Sequence, residues 1–122
     1  MSVTLLHQKF IVVSDYISGK PLEIFFARGL PNLHSEIFAE AQKQWREKGL
    51  DVVCHGGGRL SIIDNFAVFY STSEKYHRFE NHVVETLAKE HIELKDKGYT
   101  IICKAGYEDP WLLIEMFNNN KI

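Results

Sequence analysis

The sequence predicts an α+β fold: a single domain with a mixed or mostly antiparallel sheet of about six strands and two main helices. β-Branched and aromatic runs such as Phe10-Ile11-Val12-Val13 are short and bounded by turn clusters. One segment, residues 33–48, repeats apolar residues at helical spacing. The elements follow one another as two strands, a helix, three strands, a second helix and a last strand, without strict βαβ alternation.

Residues 9–16 read as the first strand, and Ser18-Gly19-Lys20-Pro21 as the turn that ends it. Residues 22–28 form a second strand, close enough in sequence to pair antiparallel with the first. Gly29-Leu30-Pro31-Asn32 breaks that strand, with Asn32 as the expected N-cap of the helix. Within the helix, Ile37, Ala41 and Trp45 share one apolar face. Glu36 and Glu40 near its start and Lys43, Arg46 and Lys48 near its end suit the macrodipole, and Gly49 is the expected C′ residue.

Residues 50–54, 59–63 and 66–71 read as strands three to five, the last two joined by a hairpin at Asp64-Asn65. Residues 75–94 are helical in part, with Phe79, Val83 and Leu87 facing inward. Gly98 closes that stretch, and residues 99–104 form the sixth strand. An apolar tail, Trp111-Leu112-Leu113-Ile114, follows, and residues 118–121 are a fraying end.

A chain of 122 residues is one domain in length and buries roughly two-thirds of its unfolded surface without staples. Its 45% hydrophobic and 25% charged residues are ordinary for a globular protein, so residues 1–122 are expected to share one core. The net charge of −2 provides no global field for nucleic acid or anionic membrane, so anion binding must be local. Aromatic residues are interleaved with apolar rather than basic ones, which also argues against a nucleic-acid platform. Cys54 and Cys103 fit free thiols in a reducing compartment, although a bridge stays open. No apolar run approaches the roughly 20 residues of a membrane span, and no secretory signal is evident, so the expected location is the cytoplasm.

The most informative stretch is Cys54-His55-Gly56-Gly57-Gly58-Arg59-Leu60. Three glycines between apolar runs either connect two strands or let backbone approach another group closely. They are no P-loop, because G-x-x-x-x-G-K-S/T is absent, and no dinucleotide fingerprint, because a strand follows. Upstream, His34 falls where the first helix begins. A histidine there is commonly an exposed residue or a local cap. Its functional reading is specific: the positive helix end disfavours imidazolium, and a neutral ring can take a proton from water. The same helix end attracts an anion.

Lys9, Arg28 and Arg59 are the candidate phosphate contacts, each otherwise a solvated surface charge; arginine offers a bidentate fork and lysine a point charge. Ser71-Thr72-Ser73, between a strand and a helix, either aims N–H groups at an oxyanion or caps the helix, and the two are compatible. No metal site is expected. His77 and His82 are spaced wrongly for one helical face, and neither H-E-x-x-H nor C-x-x-C occurs. A cysteine nucleophile fares little better: the C-x5-R pattern places Leu60, not an arginine, opposite Cys54, with Arg59 one position short.

These residues together resemble the Janus/Ocnus family, which includes the small phosphohistidine phosphatases. Cys54 to Leu60 is similar to that family's C-x-G-G-G-R-I, and His34-Ser35-Glu36-Ile37-Phe38 to its H-A-D-I-Y/F. Arg28-Gly29 matches its R-G, Lys9-Phe10 its K-Y and Tyr70-Ser71 its Y-S, and the stretch from Gly98-Tyr99 to Gly106-Tyr107 resembles its closing strand. The resemblance spans residues 9–107. It implies a cofactor-free, metal-independent hydrolase that removes phosphate from phosphohistidine, and also phospholysine, in a protein substrate; the chain is expected to be a monomer. His34 would be the general base. Lys9, Arg28 and the backbone of Ser71, Thr72 and Ser73 would hold the phosphoryl oxygens, and Arg59 would charge the pocket. The alternative expectation is a non-catalytic relative that binds a phosphorylated protein or another partner.

Overall fold

A computed structural model describes residues 1–27 and 33–122. Five strands form one mixed sheet: β1 (Val3–Asp15), β2 (Pro21–Phe25), β3 (Val52–Ile63), β4 (Phe66–Ser71) and β5 (Thr100–Ala105), in the spatial order β2-β1-β3-β4-β5. Three helices cover it: α1 (His34–Glu47), α2 (Asn81–Glu90) and α3 (Pro110–Asn118).

The expected count of six strands becomes five because the third and fourth are one. β3 runs through Gly56, Gly57 and Gly58 without a break and pairs with β1 on both sides of them. The glycines are therefore no connection between strands. They mark a bulge: Ile11 pairs with Gly57 and Val13 with Cys54, so β3 carries one residue more than β1 there, and Gly56 takes φ +99°. The sheet is mixed rather than antiparallel throughout. β1–β2, β1–β3 and β3–β4 are antiparallel, whereas β4 and β5 run parallel through the α2 crossover that such a pair requires.

The helices differ from expectation where local signals were ambiguous. α2 is shorter than residues 75–94, and its buried face is Val84 and Ala88, with Val83 and Leu87 at the margin and Phe79 before the helix. The apolar tail is a third helix, begun by Pro110 at the first helical position and capped by the Asp109 side chain, which accepts from the N–H groups of Trp111 and Leu112. The N-cap of α1 is Leu33, with no side-chain cap bond; Asn32 and Arg28 lie outside the described residues. Gly49 ends α1 as expected, with φ +84° and its N–H on the Arg46 carbonyl.

Alternation along the strands sorts the core into two layers. Phe10 and Val12 of β1, Leu60 and Ile62 of β3 and Phe69 of β4 face α2. Ile11 and Val13 face the other way, onto Ile37 and Ala41 of α1, while Val68 and Tyr70 of β4 pack with Leu113 and Ile114 of α3. One face thus carries α2, and the opposite face carries α1 and α3 side by side. The glycines let these layers close. A Cβ at Gly57 would stand 2.7 Å from the Phe10 carbonyl oxygen and 3.1 Å from Cδ2 of His34, and one at Gly58 would meet the Tyr70 carbonyl and lie 2.9 Å from Cε1 of Phe79.

Gly58→Ala should therefore destabilise the fold by about 2 kcal/mol or more through overpacking, with chemical denaturation as the readout. A variant as stable as the wild type would show that β3 does not pass this close to β4 and Phe79.

Candidate functional site

Strand register builds one cationic row on the face shared by α1 and α3. Lys9 of β1 pairs with Arg59 of β3, and Arg59 pairs with Tyr70 of β4, the residue before Ser71. Two cations directly opposite each other cost stability unless an anion lies between them. Among the described residues the salt bridges are His82–Glu80 and Lys89–Glu85, so neither Lys9 nor Arg59 is neutralised by one.

Beside this row a cleft of about 410 Å³ is lined by Lys9, Leu33, His34, Ser35, Arg59, Ser71, Thr72, Glu74, Lys75 and Glu108. The start of α1 forms one wall, and the segment leading into α3 supplies Glu108 to the other. Five separate stretches of chain thus meet where the two helices leave the sheet uncovered.

His34 is the first residue of α1 and is buried, 8% exposed. Its Nε2 lies 3.0 Å from the carbonyl oxygen of Gly58. A carbonyl only accepts, so Nε2 carries the hydrogen and Nδ1 is the basic nitrogen of the neutral ring. The missing side chain of Gly57 makes the room, since a Cβ there would crowd the ring edge. Burial lowers the pKa of His34 below its ordinary value of 6.5; the Gly58 hydrogen bond opposes this, while Lys9 and Arg59 add to it. The imidazole is consequently held neutral at pH 7, in the form that accepts a proton.

The phosphate-loop candidates divide. Ser71 and Thr72 line the cleft, whereas Ser73 is buried beneath it, packed near Gly57, with its Oγ accepting from the Tyr76 N–H at 3.0 Å. The backbone N–H of Ser71 is already donated to the Tyr107 carbonyl at 2.6 Å, and that of Ser73 to the His77 carbonyl at 3.4 Å. The Ser71 hydroxyl donates to the Glu108 carboxylate, at 2.9 and 3.1 Å from its two oxygens. Ser71 takes φ +65°, and this strained geometry turns the chain from β4 into the loop. Ser71 to Ser73 is thus an interlocked turn, and the free charge of the cleft comes from side chains.

Lys75 joins Lys9 and Arg59 as a third cation of the lining. Glu108 is the residue that sequence reasoning passed over: it sits between a strand and Pro110, and nothing in its local pattern points back to Ser71, 37 residues away. Arg28 lies outside the described residues. Cys54 is not in the cleft; it lines a separate cavity with Tyr16, Phe38 and Arg46, and burial pushes its thiol up to about 12, far from a thiolate nucleophile. Cys103 is likewise a free thiol pushed up to about 12 by burial. Among the described residues no group of three or more His, Cys, Asp or Glu is placed to hold a metal ion. No helix among them is long and apolar enough to cross a membrane.

Because the folded-state pKa of His34 is depressed, the unfolded chain binds its proton more readily. The stability His34 contributes is therefore full above about pH 6.5 and is lost as pH falls below it. A proton NMR titration, with the His34 signal assigned by its loss in His34→Gln, should place its midpoint below 6.5. A midpoint at or above that value would mean that the ring is not buried against Gly58.

No model of a known protein family matches the chain, and no curated protein sequence matches it.

Proposed function

We propose that this protein is a metal-independent protein phosphohistidine phosphatase, acting as a monomer in the cytoplasm on a phosphorylated protein. The observation that carries this reading is the neutral His34 ring, with Nε2–H fixed on Gly58, in a cleft lined by Lys9, Arg59 and Lys75. The sequence resemblance to the Janus/Ocnus family, carried by the same His34 and the same glycines, supports the same reading.

The chemistry asks little of a nucleophile. When the second nitrogen of a phosphohistidine ring is protonated, breaking the P–N bond returns the electron pair to nitrogen and releases neutral imidazole. Water adds its oxygen to phosphorus, and its proton passes to Nδ1 of His34, which then gives it up to solvent. The Gly58 carbonyl supports this step, because it holds the ring in the tautomer that leaves Nδ1 basic and stabilises the cation that forms. Lys9, Arg59 and Lys75 balance the charge on the phosphoryl oxygens, which is the larger part of catalysis when the transition state is loose.

A second reading, a phosphate-binding protein without turnover, is favoured by the loop. With the Ser71 N–H, the Ser73 N–H and the Ser71 hydroxyl engaged internally, the turn has fewer donors to give a developing oxyanion.

Incubation with a phosphohistidine peptide in the presence of chelator separates the two. The phosphatase reading predicts release of phosphate by the wild type and loss of at least a hundredfold in His34→Ala, with the far-UV circular dichroism unchanged. Binding of inorganic phosphate without hydrolysis would establish the second reading. Full activity in His34→Ala would remove His34 from the chemistry.

The positive row has its own signature. Replacing Lys9 or Arg59 by Met should weaken inorganic phosphate binding by about tenfold each, the loss of one charge-assisted contact, without lowering stability. Calorimetric titration and thermal denaturation measure the two effects. Unchanged affinity in both variants would place the anion elsewhere.

A further inference from the structure

A cleft for a bare phosphate has no use for a carboxylate, yet this one holds Glu108 in place. The Ser71 hydroxyl donates to its two oxygens, at 3.1 and 2.9 Å, and Ser71 itself is 4% exposed at a strained φ of +65°. The carboxylate belongs to an exposed residue but is tethered by a buried one. The same lining holds Lys9, Arg59 and Lys75. Anion and cations thus border one cavity, an arrangement that suits a ligand with charges of both signs.

Resting on the phosphatase reading, we infer that Glu108 is a specificity residue that selects phosphoryl groups whose nitrogen leaving group carries a positive charge. The substrate class is the zwitterionic phosphoramidates: N-phosphorylated histidine, lysine and other basic side chains. The phosphoryl end of such a group is dianionic and fits the cations of the cleft. Its bridging group carries positive charge and fits Glu108. A phosphate ester lacks that positive charge and offers Glu108 no partner, so the carboxylate acts attractively on one class and repulsively on the other.

The positive charge on the leaving nitrogen is greatest before the P–N bond breaks and fades as the electron pair returns to it. Glu108 accordingly binds the ground state at least as well as the transition state, and its contribution belongs to KM rather than kcat.

Phosphoramidate and inorganic phosphate are a matched pair for the test. They are nearly isosteric, and only the former carries an ammonium-like nitrogen in place of a hydroxyl. Both are titrated by calorimetry into the full chain bearing His34→Ala, which by the phosphatase reading turns phosphoramidate over at least a hundredfold more slowly, with and without Glu108→Gln. Glutamine keeps an oxygen for the Ser71 hydroxyl and removes only the charge.

The expected result is a preference for phosphoramidate over phosphate that falls about tenfold on Glu108→Gln, most of it as tighter phosphate and weaker phosphoramidate binding. A preference unchanged by the substitution, or both ligands strengthened equally, overturns the inference while leaving the phosphatase reading intact. Failure of both anions to bind sinks both readings.

Discussion

The hydrogen bond from His34 Nε2 to the Gly58 carbonyl is the contact on which the site depends. It joins the first residue of α1 to the middle of β3, and it can form only because the intervening surface has no side chains. Gly57 leaves room for the ring edge, and Gly58 lets β3 press against β4 and Phe79 on the opposite face. One contact then fixes several properties together. It buries the ring, which lowers its pKa, and selects its tautomer. It also holds the start of a helix beside two cations of the sheet. The triple glycine is a packing device whose chemical consequence is a basic Nδ1.

Electrostatics makes that geometry a candidate anion site. Lys9 and Arg59 are cross-strand neighbours, an unfavourable pairing that strand geometry enforces and that an anion relieves. The helix start adds its partial positive charge. Against these, Glu108 and Glu74 bring negative charge to the same lining. The result is a polarised cleft rather than a uniformly basic one, which accords with a global net charge of only −2. The charge of the cleft is set by a few placed groups, not by the field of the whole molecule.

Much of this was legible in the amino-acid order, because the signals were local. The period of Ile37, Ala41 and Trp45 located α1, and those side chains do face the sheet, with Trp45 also donating its indole N–H to Glu23 at 2.6 Å. The hairpin at Asp64-Asn65 is present, with Ile63 opposite Phe66 and Asp64 at φ +52°. His34, Lys9, Arg59, Ser71 and Thr72 do line one cavity. Local signals misled where tertiary contacts decide. Glycine propensity argues for a break, but β3 continues through its three glycines because β1 pairs along them, Phe10 with Gly58, Ile11 with Gly57 and Val13 with Cys54. The tail reads as merely apolar, yet it folds into α3 against Val68 and Tyr70 because Asp109 and Pro110 start a helix there. Ser73 looks equivalent to Ser71 in sequence, but the turn buries it below the cleft. Glu108 had no sequence signal, since its partner Ser71 is reached only through the pairing of β4 with β5.

A crystal structure grown in concentrated inorganic phosphate tests the central claim most directly. The account predicts an ordered phosphate within hydrogen-bond reach of Nδ1 of His34 and of Lys9 or Arg59, with Nε2 still on the Gly58 carbonyl. Phosphate ordered only at other surfaces, or a His34 ring turned away from Gly58, would contradict it.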